Sequence, residues 1–156
     1  MRAANILGAI LSDELRKSVR EKQGKVYSPY AYNNSSRDFN YGVISAICDT
    51  APEFNAEVLD YIEKSAKKVA DGISEDEFLR AKEPILKQVE KVRRLNAYWA
   101  NSVLPLYQAD PARREVARTF ENGYSEITLG DVKDASDEFL KGAKFYRVKI
   151  LPKGAK

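Results

Sequence analysis

The sequence contains no histidine, and its only cysteine is Cys48. Without histidine, neither a Ser-His-Asp triad nor a Cys-His pair can be assembled from this chain. Zinc sites built on histidines or on several cysteines are excluded as well. A single cysteine cannot close an intrachain disulfide, so the chain is not one of the small scaffolds held together by disulfides, and it leaves the compartment open. No apolar run reaches the roughly 18 residues that a membrane-crossing helix requires. The N-terminus lacks the basic, apolar, small-residue order of a secretory signal, and there is no glycine-rich phosphate loop. Charge is nearly balanced: 26 Lys and Arg stand against 23 Asp and Glu, a net +3, too mild to imply a nucleic-acid partner.

What is present suits one globular unit. The length of 156 residues corresponds to a single domain at about 150 residues per domain. Apolar residues at 44% and charged residues at 31% allow a sizeable core and argue against disorder. No repeat, low-complexity tract or long linker divides the chain, so residues 1–156 read as a single α+β domain or a fragment of one.

The chain opens inside a helix. Ile6, Leu7, Ile10, Leu11, Leu15 and Val19 recur at helical spacing. Arg16, Lys17 and Arg20 fall where cations suit the helix dipole, and Gly24 is placed for a left-handed C-cap. No N-cap precedes this stripe, so the chain is expected to be cut from a longer protein. Residues 25–32 and 39–48 read as two strands of a hairpin, joined by the turn formers Asn33, Asn34, Ser35, Ser36 and Asp38. Pro29 has no ladder donor, so the first strand should be an edge or bulged there. Phe39, Tyr41, Val43 and Ile47 share one parity and Ile44, Ala46 and Cys48 the other, so both faces are expected to be at least partly covered.

Thr50 with Glu53 predicts a capping box, with Pro52 in the first turn of the next helix. Phe54, Val58, Ile62 and Val69 mark its buried face and Gly72 its end. Ser74 with Glu77 predicts a second capping box, opening a long helix that reaches about Leu104 and is kinked at Pro84. Asp110-Pro111 starts another helix that stops near Gly123. Thr128 with Asp131 starts a last one, ended by Gly142. Residues 145–151 alternate apolar and basic side chains and read as a final strand, followed by a frayed end. Three strands under several helices make a thin sheet, and a strand before residue 1 is expected to complete the layer.

The sharpest local feature is the run Arg20-Glu21-Lys22-Gln23-Gly24-Lys25-Val26-Tyr27. It spans a helix end, a glycine cap and a strand start, so the chain reverses between Arg20 and Tyr27 and their side chains could converge. A guanidinium fork and a phenol hydroxyl both donate hydrogen bonds; aimed at a peptide carbonyl, they would stabilise charge developing on its oxygen. The alternative is that Arg20 caps a helix end and Tyr27 packs at a sheet edge.

This run, with Leu11-Ser12-Asp13-Glu14-Leu15 before it and Ser28 after it, resembles the pitrilysin/insulinase family of zinc metallopeptidases, in the domain of the C-terminal half. Gly72-Ile73-Ser74 with Glu77, the patch Arg94, Asn96, Tyr98 and Trp99, and Thr128-Leu129 with Asp131-Val132 resemble later stretches of that domain in the same order. The resemblance implies a two-layer α+β fold, an antiparallel sheet packed against helices, of the processing-peptidase-like kind. It implies a zinc ion held by a partner N-terminal domain, in the same chain or another subunit, and an internal chamber for a peptide substrate. It also implies that Arg20 and Tyr27 contribute to the bound peptide from the non-catalytic half, with bacterial relatives often in the cell envelope. Lacking histidine, this chain alone cannot be the peptidase, and no metal is expected in it. A catalytically inactive scaffold or protein-interaction module of the same fold is the alternative function.

Other groupings carry milder readings. Asp131, Asp134, Asp137 and Glu138 could hold a hard cation, but their spacing is that of a solvated helix face. Lys87, Lys91, Arg93 and Arg94, with Arg113, Arg114 and Arg118, could bind phosphate; Glu83, Glu90 and Glu115 interleave with them as in ordinary ion-paired helix surface. Tyr98 and Trp99 could line a peptide cleft, although large aromatics on a helix are more often core. Cys48 reads as a small buried apolar residue. The isolated chain, with a sheet edge uncovered, is expected to self-associate.

Overall fold

Helix α1 (Arg2–Arg20) is the element about which the rest is arranged. The computed structural model describes residues 1–20, 26–36, 41–109, 114–142 and 144–151, without the side chains of Val19, Arg20, Leu106, Ala109 and Arg114. Within α1, Ile6, Leu7, Ile10, Leu11 and Leu15 are all buried in one core cluster, as the helical spacing predicts. The predicted C-cap at Gly24 lies outside the described residues.

The sheet formed by the described residues has two antiparallel strands, β1 (Val26–Asn33) and β2 (Ile44–Thr50). Their register runs from Asn33↔Ile44 to Tyr30↔Ile47, then slips by one residue before Tyr27↔Asp49 and Val26↔Thr50. The slip is the bulge that Pro29 predicts, and Ser28 carries its left-handed backbone at φ 45°. The Asn34 amide donates to the Val43 carbonyl at 2.7 Å and that of Ser36 to the Tyr41 carbonyl at 3.1 Å, extending the pairing toward the turn. On the turn side of the bulge the even-numbered residues of β1 bond to β2, so the amide and carbonyl of Ala31 turn to the opposite edge.

At that edge α1 stands in for a third strand. The Ser12 hydroxyl accepts from the Ala31 amide at 2.6 Å and donates to the Ala31 carbonyl at 2.8 Å, satisfying two buried backbone groups at once. Gly8 lets the helix approach this closely: a Cβ there would sit 3.0 Å from the Tyr32 Cα and 3.1 Å from the Asn33 nitrogen.

Several expected elements differ from those observed. Thr50 is the last residue of β2 and pairs with Val26, so its side chain does not cap a helix. A short 3-10 turn, Pro52–Phe54, intervenes without a side-chain cap, and helix α2 (Asn55–Asp71) follows. Its buried residues include the predicted Val58 and Val69, and Gly72 ends it with an extended φ of 171°. Helix α3 (Glu75–Arg93) opens with the predicted Ser74–Glu77 capping box and runs through Pro84, but stops before Leu95, whose backbone is extended. The break is stabilised by the Trp99 indole, which donates to the Arg93 carbonyl at 2.8 Å. Helix α4 (Asn96–Tyr98), a π-helical turn (Trp99–Val103) and α5 (Leu104–Ala109) continue beyond it.

The predicted start at Asp110-Pro111 lies outside the described residues. Instead of one helix ending at Gly123 there are two short ones, α6 (Arg114–Arg118) and α7 (Asn122–Ser125), with Gly123 inside the second. Helix α8 (Leu129–Ser136) has the predicted Thr128–Asp131 capping box and passes into a π-helical turn ending at Gly142. Finally, residues 145–151 form no strand. They pair with neither described strand, and a strand without a ladder has no reason to persist.

Helices α1, α2, α3 and α8 enclose the core beneath one face of the hairpin. This is the expected two-layer α+β arrangement, mostly helical.

Candidate functional site

Two residues carried the site expectation. Arg20 is the last residue of α1, and Tyr27 is the second residue of β1. The side chain of Arg20 and the reversal between the two lie outside the described residues, so the convergence of the pair does too.

The position of Tyr27 follows from the bulge. Side chains alternate faces along a strand, so without the slip Tyr27 would share the helix-covered face of Ala31. With one extra residue in β1, Tyr27 pairs with Asp49 and Tyr30 with Ile47. Asp49 and Ile47 are two apart on β2, so Tyr27 lies on the same face as Tyr30 and Tyr32. Its ring is 65% exposed. Its hydroxyl makes no hydrogen bond to another described residue. The sheet-edge packing role that the sequence left open for Tyr27 is therefore not what its exposure describes.

Tyr27 belongs to an open face that sequence reading missed. Tyr30, Tyr32, Tyr41, Val43 and Ile47 are all exposed, and the Tyr30 and Tyr32 rings stack with centroids 5.8 Å apart. Ala31, Ile44 and Ala46, of the other parity, pack against the core. Both faces of the second strand were expected to be at least partly covered; the face of Ile44 and Ala46 packs on the core, and the tyrosine-rich face is the more open one, with Tyr41, Val43 and Ile47 exposed. The signal was available in the parity of Tyr41, Val43 and Ile47, but the sequence does not say which face the helices take.

The remaining candidates fall into place as structure. No group of three or more His, Cys, Asp and Glu among the described residues could hold a metal ion. Of the acidic set, Asp131 accepts from the Thr128 amide at 2.7 Å and Asp137 pairs with Lys141 at 2.6 Å. Of the basic set, Lys87 pairs with Glu83 at 2.6 Å, Arg93 with Glu121 and Arg94 with Glu90. Tyr98 stacks on Phe120 and meets Trp99 edge-on, a ladder of rings rather than a cleft. Cys48 is half-buried, and burial with the neighbouring Asp49 carboxylate raises its thiol pKa, keeping it protonated and unreactive. An open groove of about 390 Å³ runs beside α1, lined by Ala9, Ser12, Arg16, Tyr32, Ile85 and Tyr124 among others. No helix among the described residues is long and apolar enough to cross a membrane.

Comparison with known proteins agrees with this architecture. The family model of the peptidase M16 inactive domain matches residues 2–85. That is more than half of the chain, which therefore belongs to this family: it is a pitrilysin-family domain of the C-terminal-half, inactive kind. The match spans both Arg20 and Tyr27. Among solved structures, the fold is similar to part of the periplasmic protease PqqL from Escherichia coli, with a TM-score of 0.68 and 22% identity over 90% of this chain. The chain spans 16% of the length of that protein. Among curated proteins, none matches this sequence.

Proposed function

We propose that this chain is the substrate-binding, non-catalytic domain of a zinc-dependent endopeptidase. In this reading residues 1–156 form one α+β unit. It closes a peptide chamber opposite a zinc ion held by an N-terminal domain, in the same chain or a partner subunit. Arg20 and Tyr27 donate hydrogen bonds to the substrate carbonyl, where negative charge develops as the tetrahedral intermediate forms. In this reading the metal and the general base belong to the N-terminal domain, so no step of bond cleavage is assigned to this chain. The observation that carries the reading is the family match across Arg20 and Tyr27, together with the exposed ring of Tyr27. The periplasmic neighbour supports a cell-envelope location.

The test is made in the assembled parent protein. Arg20→Ala and Tyr27→Phe are each expected to lower turnover by about 10²–10³, or roughly 3 to 4 kcal/mol of transition-state stabilisation. Zinc content, measured by metal analysis, stays unchanged, because neither residue is a ligand. Unchanged turnover in both variants would overturn the assigned roles. A parent without peptidase activity would favour the scaffold or interaction module instead.

A further inference from the structure

The open face of the hairpin extends beyond Tyr27, and nothing in the chemistry assigned above uses the rest of it. Tyr30 and Ile47 form a cross-strand pair on this face, Tyr32 lies opposite Ser45, and Val43 and Tyr41 continue it toward the turn. All but Ser45 are exposed aromatic or apolar side chains. Described charge on the face is confined to Asp49, beside Tyr27. A solvated antiparallel hairpin ordinarily alternates apolar-in with polar-out; here aromatic and apolar side chains dominate the outward set, with Asn34, Ser36, Ser45 and Asp49 as its polar members. Tyrosine suits such a surface, presenting a large rigid ring at little cost in side-chain entropy and keeping a hydroxyl for water or ligand.

We infer that this face is a recognition surface for an extended peptide carrying apolar side chains at alternate positions. Size selects the occupant. Strand β1 has 8 residues; at about 3.4 Å per residue and 4.8 Å between strands, the face measures about 27 Å by 10 Å, on the order of 270 Å². Each partner of a stable protein complex buries roughly 800 Å², so the face is too small to hold a second copy by itself. It is as wide as one extended chain. Such a chain turns every second side chain downward, matching the period at which Tyr27, Tyr30 and Tyr32 line the surface once the bulge has set their common face. Stacking of Tyr30 on Tyr32 pre-orders the rings before the peptide arrives, which lowers the entropy cost of binding. This inference rests on the reading that Tyr27 meets the substrate, and it names the substrate class: peptides with hydrophobic residues in alternation beside the scissile bond.

The experiment uses the full parent protein and two fluorescein-labelled synthetic peptides, one with Leu and Phe at alternate positions and a control with Ser in their place. Binding is read by fluorescence anisotropy, and cleavage separately. The native protein is expected to bind the apolar peptide about tenfold or more tightly than the control. Tyr30→Ser with Ile47→Ser removes that preference and leaves weak binding of the control unchanged; Tyr30→Phe with native Ile47 retains it, which separates lost apolar contact from a folding defect. Tyr27→Phe lowers turnover of both peptides while preserving the preference in binding. If the double variant still prefers the apolar peptide, the inference fails although the role of Tyr27 stands. If Tyr27→Phe turns over both peptides normally, the role of Tyr27 fails, while the binding preference is judged by the double variant alone. If the double variant instead abolishes self-association and leaves peptide binding intact, the face belongs to a second copy and the inference is overturned.

Discussion

Ser12 shows how much one side chain decides in this fold. Its hydroxyl holds both the amide and the carbonyl of Ala31 on the edge of β1 that faces away from β2. Replacing it with alanine strands two buried backbone groups, and each buried group left unsatisfied costs about 1 to 3 kcal/mol. Ser12→Ala is therefore expected to lower the urea midpoint of unfolding by an amount corresponding to about 2 kcal/mol or more. A loss below about 0.5 kcal/mol would mean water replaces the hydroxyl there. Gly8 is the companion case. A methyl group 3.0 Å from the Tyr32 Cα meets backbone on both sides and cannot be relieved by turning a side chain. Gly8→Ala raises helix propensity by about 1 kcal/mol, yet the overpacking at about 1 to 3 kcal/mol outweighs it, so the thermal midpoint falls. Neither residue was legible in the sequence as more than a helix-compatible small side chain, because the contact that gives each its role is with a strand some twenty residues away.

At the scale of elements, the sequence was most readable where the deciding contacts are local. The Ser74–Glu77 and Thr128–Asp131 boxes are both formed, since each joins residues three apart whatever the tertiary context. The Thr50–Glu53 box has the same pattern but does not form, because pairing with Val26 recruits Thr50 into β2. Propensity lost there to a long-range partner that no local window contains. The Ser74–Glu77 box also makes a pH prediction. The Ser74 hydroxyl first, then the Ser74 amide, lower the Glu77 carboxyl pKa. A depressed native pKa means the unfolded chain binds the proton more readily. The stabilisation is thus fully present above the ordinary carboxylate pKa of about 4.3 and is lost as pH falls through the native value. Native protein should exceed Glu77→Gln in stability at neutral pH, and the gap should close in acid; a gap that stays constant with pH would show that the carboxylate charge plays no part. The bulge is legible by the same logic. Pro29 signalled it, but not its consequence, since only the register reveals that Tyr27 is turned outward. Ser28 holds a φ of 45°, so Ser28→Gly relieves strain of about 1 kcal/mol and should raise the thermal midpoint without moving Tyr27.

At the scale of the whole molecule, the predicted third strand matters most by being unpaired. Residues 145–151 keep the alternating pattern from which a strand was read, but their backbone joins no ladder. Tyr146, Val148 and Ile150 are 86%, 76% and 93% exposed. Between them Arg147 bonds Asp60 at 2.8 Å and also reaches Glu63, both on α2. Arg147 first, then Lys67, holds the Glu63 carboxyl below its usual range. The ion pairs tether the segment along the helix layer, while Tyr146, Val148 and Ile150 remain exposed and its backbone joins no ladder. An exposed segment of alternating apolar residues outside any ladder is a candidate for pairing with another strand. The 156-residue chain on its own is therefore expected to self-associate, with sedimentation velocity showing a weight-average mass that rises with concentration. Val148→Lys with Ile150→Lys should return it to a monomer, because charge on the exposed parity opposes stacking while leaving the Arg147 tether intact. Native protein that stays monomeric across the same concentrations would mean that the tether alone suppresses pairing. Association persisting in the double variant would move the contact elsewhere, with the tyrosine face of the hairpin the next surface to test.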